Sequence, residues 1–100
     1  MESFVALADP TRRRIVEELA GGPLSSGEIA ARFPISAPAV SQHLKTLKAA
    51  GLVRVRSEAQ KRIYEIDPEG IEAVAIWADG LRRRWASKLA ILKVELTRKE

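Results

Sequence analysis

The chain has 100 residues, the size of a single domain, and its 46% of hydrophobic and 30% of charged residues are typical of a folded globular protein. It contains no cysteine, which excludes disulfides and thiolate metal sites, and no apolar run approaches the roughly 20 residues of a membrane span. Its first residues lack the basic end and apolar core of a signal peptide, so we expect a cytoplasmic protein.

Positive charge is concentrated in the middle of the sequence. The net charge is +4, whereas residues 36–62 alone carry +5, with six basic residues against one acidic residue. The rest of the chain is therefore close to neutral. This distribution suggests a polyanionic partner, with a solvated basic face as the alternative.

Capping residues and prolines divide the first third of the chain into helices. A first helix is predicted over residues 2–8 and is ended by Asp9-Pro10, because aspartate favours the N-cap and proline the first helical position. The second helix runs over about residues 10–20, and Gly21-Gly22-Pro23 ends it.

Two capped helices follow in close succession. Ser25 and Glu28 have the spacing of a capping box and begin a short helix over residues 25–33. After a three-residue turn, Ser36 caps a longer helix that reaches about residue 50. Two such helices, together about residues 25–50, are typical of a helix-turn-helix whose second helix enters the major groove of DNA.

The second helix of this pair has two distinct faces. Val40, Leu44 and Leu47 form an apolar stripe that must face the core. The opposite face carries small and hydrogen-bonding side chains near the N-terminus of the helix and cationic side chains further along it. A merely solvated face would carry more glutamate. The DNA contacts predicted on this helix are Ser36, Pro38, Ala39, Ser41, Gln42, His43, Lys45 and Thr46.

His43 is the sole histidine, and a structural packing role is the alternative to a DNA contact for its side chain. It lies beside the apolar stripe, so packing against the preceding helix competes with a phosphate contact. Its helical neighbours offer no carboxylate that could orient it as a catalyst. We therefore predict that the chain is not an enzyme.

After Gly51 the hydrophobic period changes from 3.6 to 2, which predicts a β-hairpin, or wing, over about residues 52–66. Strands over residues 52–56 and 61–66 are joined by a polar connection at residues 57–60. The wing residues predicted to contact phosphates or the minor groove, on its exposed side or tip, are Arg54, Arg56, Lys61 and Arg62. Protection of a strand edge against aggregation is the alternative.

A last helix is predicted over about residues 68–98, with apolar positions spaced by threes and fours. It is too apolar to cover a small core alone, so we predict a dimer interface, with completion of the monomer core as the alternative. Gly80 is a candidate for a kink or a close helix crossing. The predicted interface residues are Phe4, Leu7, Trp77, Leu81, Trp85, Leu89 and Leu92.

These elements predict an α+β fold, a winged helix-turn-helix in the order α-α-α-α-β-β-α, as one mostly helical domain over residues 1–100 with a two-stranded wing. The sequence resembles the winged-helix repressors of the ArsR type over nearly its whole length. The resemblance rests on Leu7-Ala8-Asp9-Pro10-Thr11-Arg12-Arg13-Arg14-Ile15, Leu24-Ser25, Ile29-Ala30, Ala39-Val40-Ser41-Gln42-His43-Leu44-Lys45, Leu47, Ala50-Gly51-Leu52-Val53 and Tyr64.

The resemblance implies a homodimer, paired through its first and last helices, that binds an imperfect inverted repeat in double-stranded DNA and represses transcription. The wing departs from the family pattern, because the family usually has a glycine near the tip where this chain has Ser57-Glu58-Ala59-Gln60.

Many members of this family sense metals or arsenicals through cysteines before the recognition helix or through Asp, His and Glu on the last helix. This chain has no cysteine and no histidine beyond residue 66, and we expect Asp79 on the last helix to have no partner of ligand type nearby on its helix face. The resemblance therefore implies a metal-independent member, with no metal site and no cofactor. Two alternatives remain: a sensor of the same fold for an unidentified small molecule, and a winged-helix module that binds protein or RNA.

Overall fold

The computed structural model describes residues 2–98, so the ends of the predicted domain at residues 1, 99 and 100 lie outside the described residues. The predicted fold class is confirmed. The elements in chain order are α1 (Glu2–Leu7), α2 (Pro10–Leu19), β1 (Leu24–Ser25), α3 (Ser26–Ala31), α4 (Ala37–Ala49), β2 (Val53–Glu58), β3 (Lys61–Ile66) and α5 (Pro68–Arg98).

The predicted caps begin the helices. The Asp9 carboxylate accepts a hydrogen bond from the backbone N–H of Arg12 at 3.0 Å, and the Ser36 hydroxyl accepts one from that of Ala39 at 3.2 Å. Ser25 and Glu28 form both bonds of the capping box, and the Ser25 N–H lowers the pKa of Glu28. A cap of this kind contributes about 1 kcal/mol, enough to fix where short helices start.

The sheet has one strand more than predicted. Its order is β1-β3-β2, and β1 pairs antiparallel with β3 through Leu24 opposite Tyr64 and Ser25 opposite Ile63. The prediction of a sheet made only of the two wing strands is therefore corrected. A two-residue strand leaves no period in the sequence, and tertiary pairing alone creates it.

A single apolar core lies between the helices and the sheet. Val40, Leu44 and Leu47 are at most 1% exposed, which confirms that their stripe on α4 faces inward. They pack with Ile15 of α2 and Ile29 of α3, both fully buried. Since each such side chain contributes roughly 1.5–3 kcal/mol on burial, the core fixes which face of α4 remains outside.

Only the start of α5 packs on this core. Ile71 and Val74 lie against it, after which the helix projects outward and gives the chain a longest dimension of 65 Å. The radius of gyration is 18.5 Å, compared with about 13 Å for a compact 100-residue domain. The helix runs through Gly80, and no described side chain or neighbouring element lies within 4 Å of a Cβ built there, so no close helix crossing occurs at Gly80 among the described residues.

Candidate nucleic-acid interface

The outer face of α4 presents the side chains predicted to read DNA. Ser36, Pro38, Ser41, Gln42 and Lys45 are exposed, whereas Ala39, His43 and Thr46 are half-buried at its edges. The Thr46 hydroxyl donates to the Gln42 carbonyl oxygen at 3.1 Å. Among the described residues none hydrogen-bonds the Gln42 amide, so this side chain can donate to and accept from a base edge.

The polar contacts of His43 are to residues at the start of α2. Its Nδ1 lies 3.4 Å from Nη1 of Arg12 and 4.0 Å from Oδ2 of Asp9. Because a guanidinium can only donate, Nδ1 accepts in this contact and the ring proton of neutral His43 belongs on Nε2. This contact holds one side of the ring within its own subunit, and Nε2–H is left as a donor.

Arg12 joins three elements around this histidine. Its Nε donates to the Ala6 carbonyl oxygen at 2.6 Å, and its Nη2 donates to that of Val5 at 3.3 Å, so it satisfies the C-terminal end of α1. Its own backbone N–H lowers the pKa of Asp9. Sequence reasoning missed this role, since three consecutive arginines give no sign of which one turns inward.

The strand register divides the basic residues of the wing between two faces. The cross-strand pairs are Val53–Ile66, Arg54–Glu65, Val55–Tyr64, Arg56–Ile63, Ser57–Arg62 and Glu58–Lys61. Directly opposed residues share a face, so Arg54, Arg56 and Lys61 lie on one face, which we call the outer face of the wing. Arg62 lies on the other face, with its guanidinium 6.0 Å from the Tyr64 ring centroid.

Two carboxylates lie among the cations of the outer face. Oε1 of Glu65 is 3.0 Å from Nε of Arg54 and 3.3 Å from Nη1 of Arg56, and Oε2 of Glu58 is 3.5 Å from Nη2 of Arg56. The sequence prediction named these arginines as DNA contacts and assigned them no ion-pair partner. The register that places Glu65 opposite Arg54 depends on the length of the turn, which composition does not give.

The turn at the wing tip is shorter than predicted. β2 and β3 extend to Glu58 and Lys61, so the connection is Ala59-Gln60 instead of residues 57–60. Ala59 has a φ of 55°, which lies in the left-handed region that favours glycine. The tip therefore keeps a conformation suited to glycine although the chain has none there.

The residues predicted to form a dimer interface fall into two groups. Phe4 and Leu7 are half-buried, Phe4 with its ring 4.6 Å from that of Trp77 and Leu7 against the core. On the projecting part of α5, Leu81 is half-buried, and Trp85, Leu89 and Leu92 are 53%, 53% and 50% exposed. The structure thus brings the second group together on one exposed stripe of the helix and joins the first to the subunit's own packing.

The same helix carries charged groups beside the stripe. Arg82 and Arg83 pair with Asp79 at 2.8 and 2.9 Å, so these two arginines belong to a solvated ion-pair network. Within residues 2–98 no group of three or more His, Asp and Glu side chains is placed to hold a metal ion. No helix in this part of the chain is long and apolar enough to cross a membrane.

Comparison with known proteins gives consistent matches. The family model described as a helix-turn-helix domain matches residues 7–56. The chain is 58% identical over 72 residues to the HTH-type transcriptional regulator Rv2034 of Mycobacterium tuberculosis, covering 72% of this chain and 67% of that protein. It is 36% identical to the transcriptional repressor SdpR of Bacillus subtilis, covering 74% and 82% of the two chains.

Solved structures agree with these matches. The crystal structure of an ArsR family transcriptional regulator superposes with a TM-score of 0.76 at 32% identity, covering 86% of this chain and 89% of that one. An ArsR-like regulator from Rhodococcus gives a TM-score of 0.75 at 30% identity, covering 92% and 87%. The fold and these relatives together show a winged helix-turn-helix DNA-binding protein, a transcriptional regulator rather than an enzyme. The chain belongs to the ArsR family of such regulators.

Proposed function

We propose that this regulator is a homodimeric repressor that binds an inverted-repeat operator, with α4 of each subunit in the major groove. The observation that carries the proposal is the apolar stripe on the projecting part of α5. Trp85, Leu89 and Leu92 are half exposed there, on a helix that extends beyond the core of its own subunit. Aromatic and aliphatic side chains in such a stripe are typical of the buried centre of a subunit interface.

A second copy of the chain is the partner that fits this stripe best. A two-fold dimer brings identical surfaces together, so the stripe of one α5 meets that of the other. Trp77 is 48% exposed and packs on the half-buried Phe4, so it extends the same apolar surface toward α1, which supports pairing through both terminal helices. A two-fold protein then requires a two-fold operator, with half-sites about one helical turn apart.

We assign the DNA contacts by chemistry. Gln42 and Ser41 lie on the exposed face of α4 and suit base edges, and the small Pro38 and Ala39 allow a close approach to the groove. The remaining contacts are to the phosphate backbone, from Ser36, His43, Lys45, Thr46, Arg54, Arg56, Lys61 and Arg62. His43 supplies Nε2–H, which the Arg12 contact leaves free to donate.

We also propose that no metal controls this activity and that the protein acts in the cytoplasm. The sequence lacks cysteine, and its one histidine belongs to α4. Affinity for the operator should be equal in the presence of a chelator and of added zinc. A reproducible tenfold difference, about 1.4 kcal/mol of coupling, would contradict metal independence.

Repression follows from occlusion of a promoter. SdpR, a relative, is a repressor, whereas the relative HlyU of Vibrio cholerae is a transcriptional activator. A reporter gene behind the operator should therefore fall in expression when the regulator is supplied. A rise in expression would place this chain with the activators.

Selection of bound duplexes from a random pool tests the operator directly. We expect a motif of two inverted half-sites with centres about 10 base pairs apart. An unpaired half-site would contradict the dimeric mode of binding. Preference for single-stranded RNA over any duplex would favour the RNA-binding alternative instead.

A further inference from the structure

The outer face of the wing has less free positive charge than its arginines suggest. Both guanidinium groups reach one oxygen, Oε1 of Glu65, at 3.0 Å from Arg54 and 3.3 Å from Arg56. Arg56 is held by a second carboxylate as well, since its Nη2 lies 3.5 Å from Glu58. Two carboxylates thus offset two of the three cations on this face before any DNA arrives.

Glu65 holds its position more firmly than Glu58. It lies on β3, the central strand of the sheet, directly opposite Arg54, and its side chain is 26% exposed compared with 67% for Glu58. The backbone register therefore sets the Glu65–Arg54 pair. Glu58 lies next to the tip and contacts an arginine of its own strand at a longer distance.

We propose that Glu65 limits the strength of sequence-independent DNA binding by holding Arg54 and Arg56 on the wing surface. Carboxylate and phosphate oxygens accept hydrogen bonds from the same guanidinium N–H groups. A phosphate near the wing must therefore displace Glu65 or bind a guanidinium whose charge is already partly neutralised. This inference rests on the proposed function in one respect, the contact of the wing with the DNA backbone.

Substitution Glu65→Gln tests the proposal because it removes the charge and keeps the size of the side chain. Binding to a random-sequence duplex is measured by titration over a range of salt concentrations. With both arginines released, affinity at fixed salt should rise about threefold for each wing on the DNA. The slope of log affinity against log salt should steepen by about one for each wing.

Glu58→Gln is the matched control, since it removes the same charge from the same face. Its affinity gain should be clearly smaller, because its contact is longer and involves only Arg56. In an Arg54→Ala/Arg56→Ala background, Glu65→Gln should lose most of its effect. Thermal unfolding of each variant checks that the wing remains folded.

Four results would overturn the proposal. Equal gains for the two glutamine variants would mean that any negative charge on the wing acts alike. A gain that persists without the arginines would mean that Glu65 repels DNA directly, and a loss of affinity would mean that Glu65 orients the arginines toward phosphate. If Glu65→Gln combined with Arg54→Ala/Arg56→Ala keeps the salt slope of Glu65→Gln alone, neither arginine contacts DNA even when released, and this inference fails together with these two contacts of the proposed function, whereas the contacts of α4 are unaffected.

Discussion

At the scale of single residues, Gln42 is the side chain on which base recognition depends most. It is exposed on α4, opposite the buried stripe, and its amide is without a partner among the described residues. We expect Gln42→Ala to cost roughly 1–3 kcal/mol of binding free energy and to relax preference at one position in each half-site. Duplex selection with the variant measures this, and an unchanged motif would contradict it.

Lys45→Ala, on the same face of α4, is the contrasting variant to Gln42→Ala, because Lys45 is proposed to contact phosphate and not a base. A cation that contacts phosphate supports binding to all sequences alike, so this variant should weaken binding uniformly and reduce the salt slope by about one per subunit. If both variants changed the preferred motif, the division between base and backbone contacts on α4 would be wrong.

Ala59 holds a strained position at the wing tip. A non-glycine residue in the left-handed region costs roughly 1–2 kcal/mol. Replacing it with glycine removes this cost, but part of the gain is lost because glycine has greater freedom in the unfolded chain. With a φ of 55° at Ala59, we expect Ala59→Gly to raise the free energy of unfolding by about 1 kcal/mol. Denaturant titration measures this, and Gln60→Gly, for which no positive φ occurs, should give no gain.

At the scale of elements, the start of α5 is fixed by a close backbone approach at Gly70. A Cβ at this position would overlap the carbonyl oxygen of Gly51, which follows α4, whereas no described side chain or neighbouring element lies within 4 Å of a Cβ at Gly80. We expect Gly70→Ala to destabilise the fold by about 1–3 kcal/mol, since backbone must shift. Gly80→Ala should instead stabilise α5 by about 1 kcal/mol. Thermal unfolding of the two variants measures this: the midpoint should fall for Gly70→Ala and rise for Gly80→Ala. Similar midpoints for the two variants would contradict this account of how α5 is anchored.

Local chemistry explains which elements could be predicted from sequence. Asp9, Ser25 and Ser36 signal helix starts through bonds to backbone only three residues away, and the α4 stripe follows from helical spacing. Pairing between distant segments leaves no such signal. The strand β1, the Glu65–Arg54 pair and the Arg12–His43 contact, 31 residues apart, depend on how elements meet, so sequence reasoning missed them.

At the scale of the whole molecule, the projecting half of α5 separates the surface for a partner from the surface for DNA. The chain measures 65 × 27 × 22 Å. The projecting part of α5 lies along the longest dimension, so its stripe of Trp85, Leu89 and Leu92 is distant from the core against which α4 packs. Pairing of two such helices would hold two copies of α4 at a fixed separation. Recognition of an inverted repeat then depends on α5, although α5 itself need not contact DNA.

Leu92 and Val94 allow a matched test of this dependence. They are 50% and 55% exposed and lie two residues apart, so they point to nearly opposite sides of the helix, Leu92 within the stripe and Val94 outside it. Leu92→Glu would place an unpaired charge in the interface of both subunits. Since each buried leucine contributes roughly 1.5–3 kcal/mol, we expect the dimer to weaken by at least about 3 kcal/mol, more than a hundredfold in Kd.

Val94→Glu should leave both the dimer and DNA binding at the parental level, and Trp85→Ala should behave like Leu92→Glu. Sedimentation measures association, and titration of the selected duplex measures binding.

The monomeric variants should remain folded, because these side chains lie outside the core, and should retain only weak, salt-sensitive affinity from one α4 and one wing. Dimers of parental affinity for Leu92→Glu and Trp85→Ala would place the subunit interface elsewhere. Equal disruption by Val94→Glu would instead mean that charge anywhere on this helix prevents pairing, and the assignment of the stripe would fail.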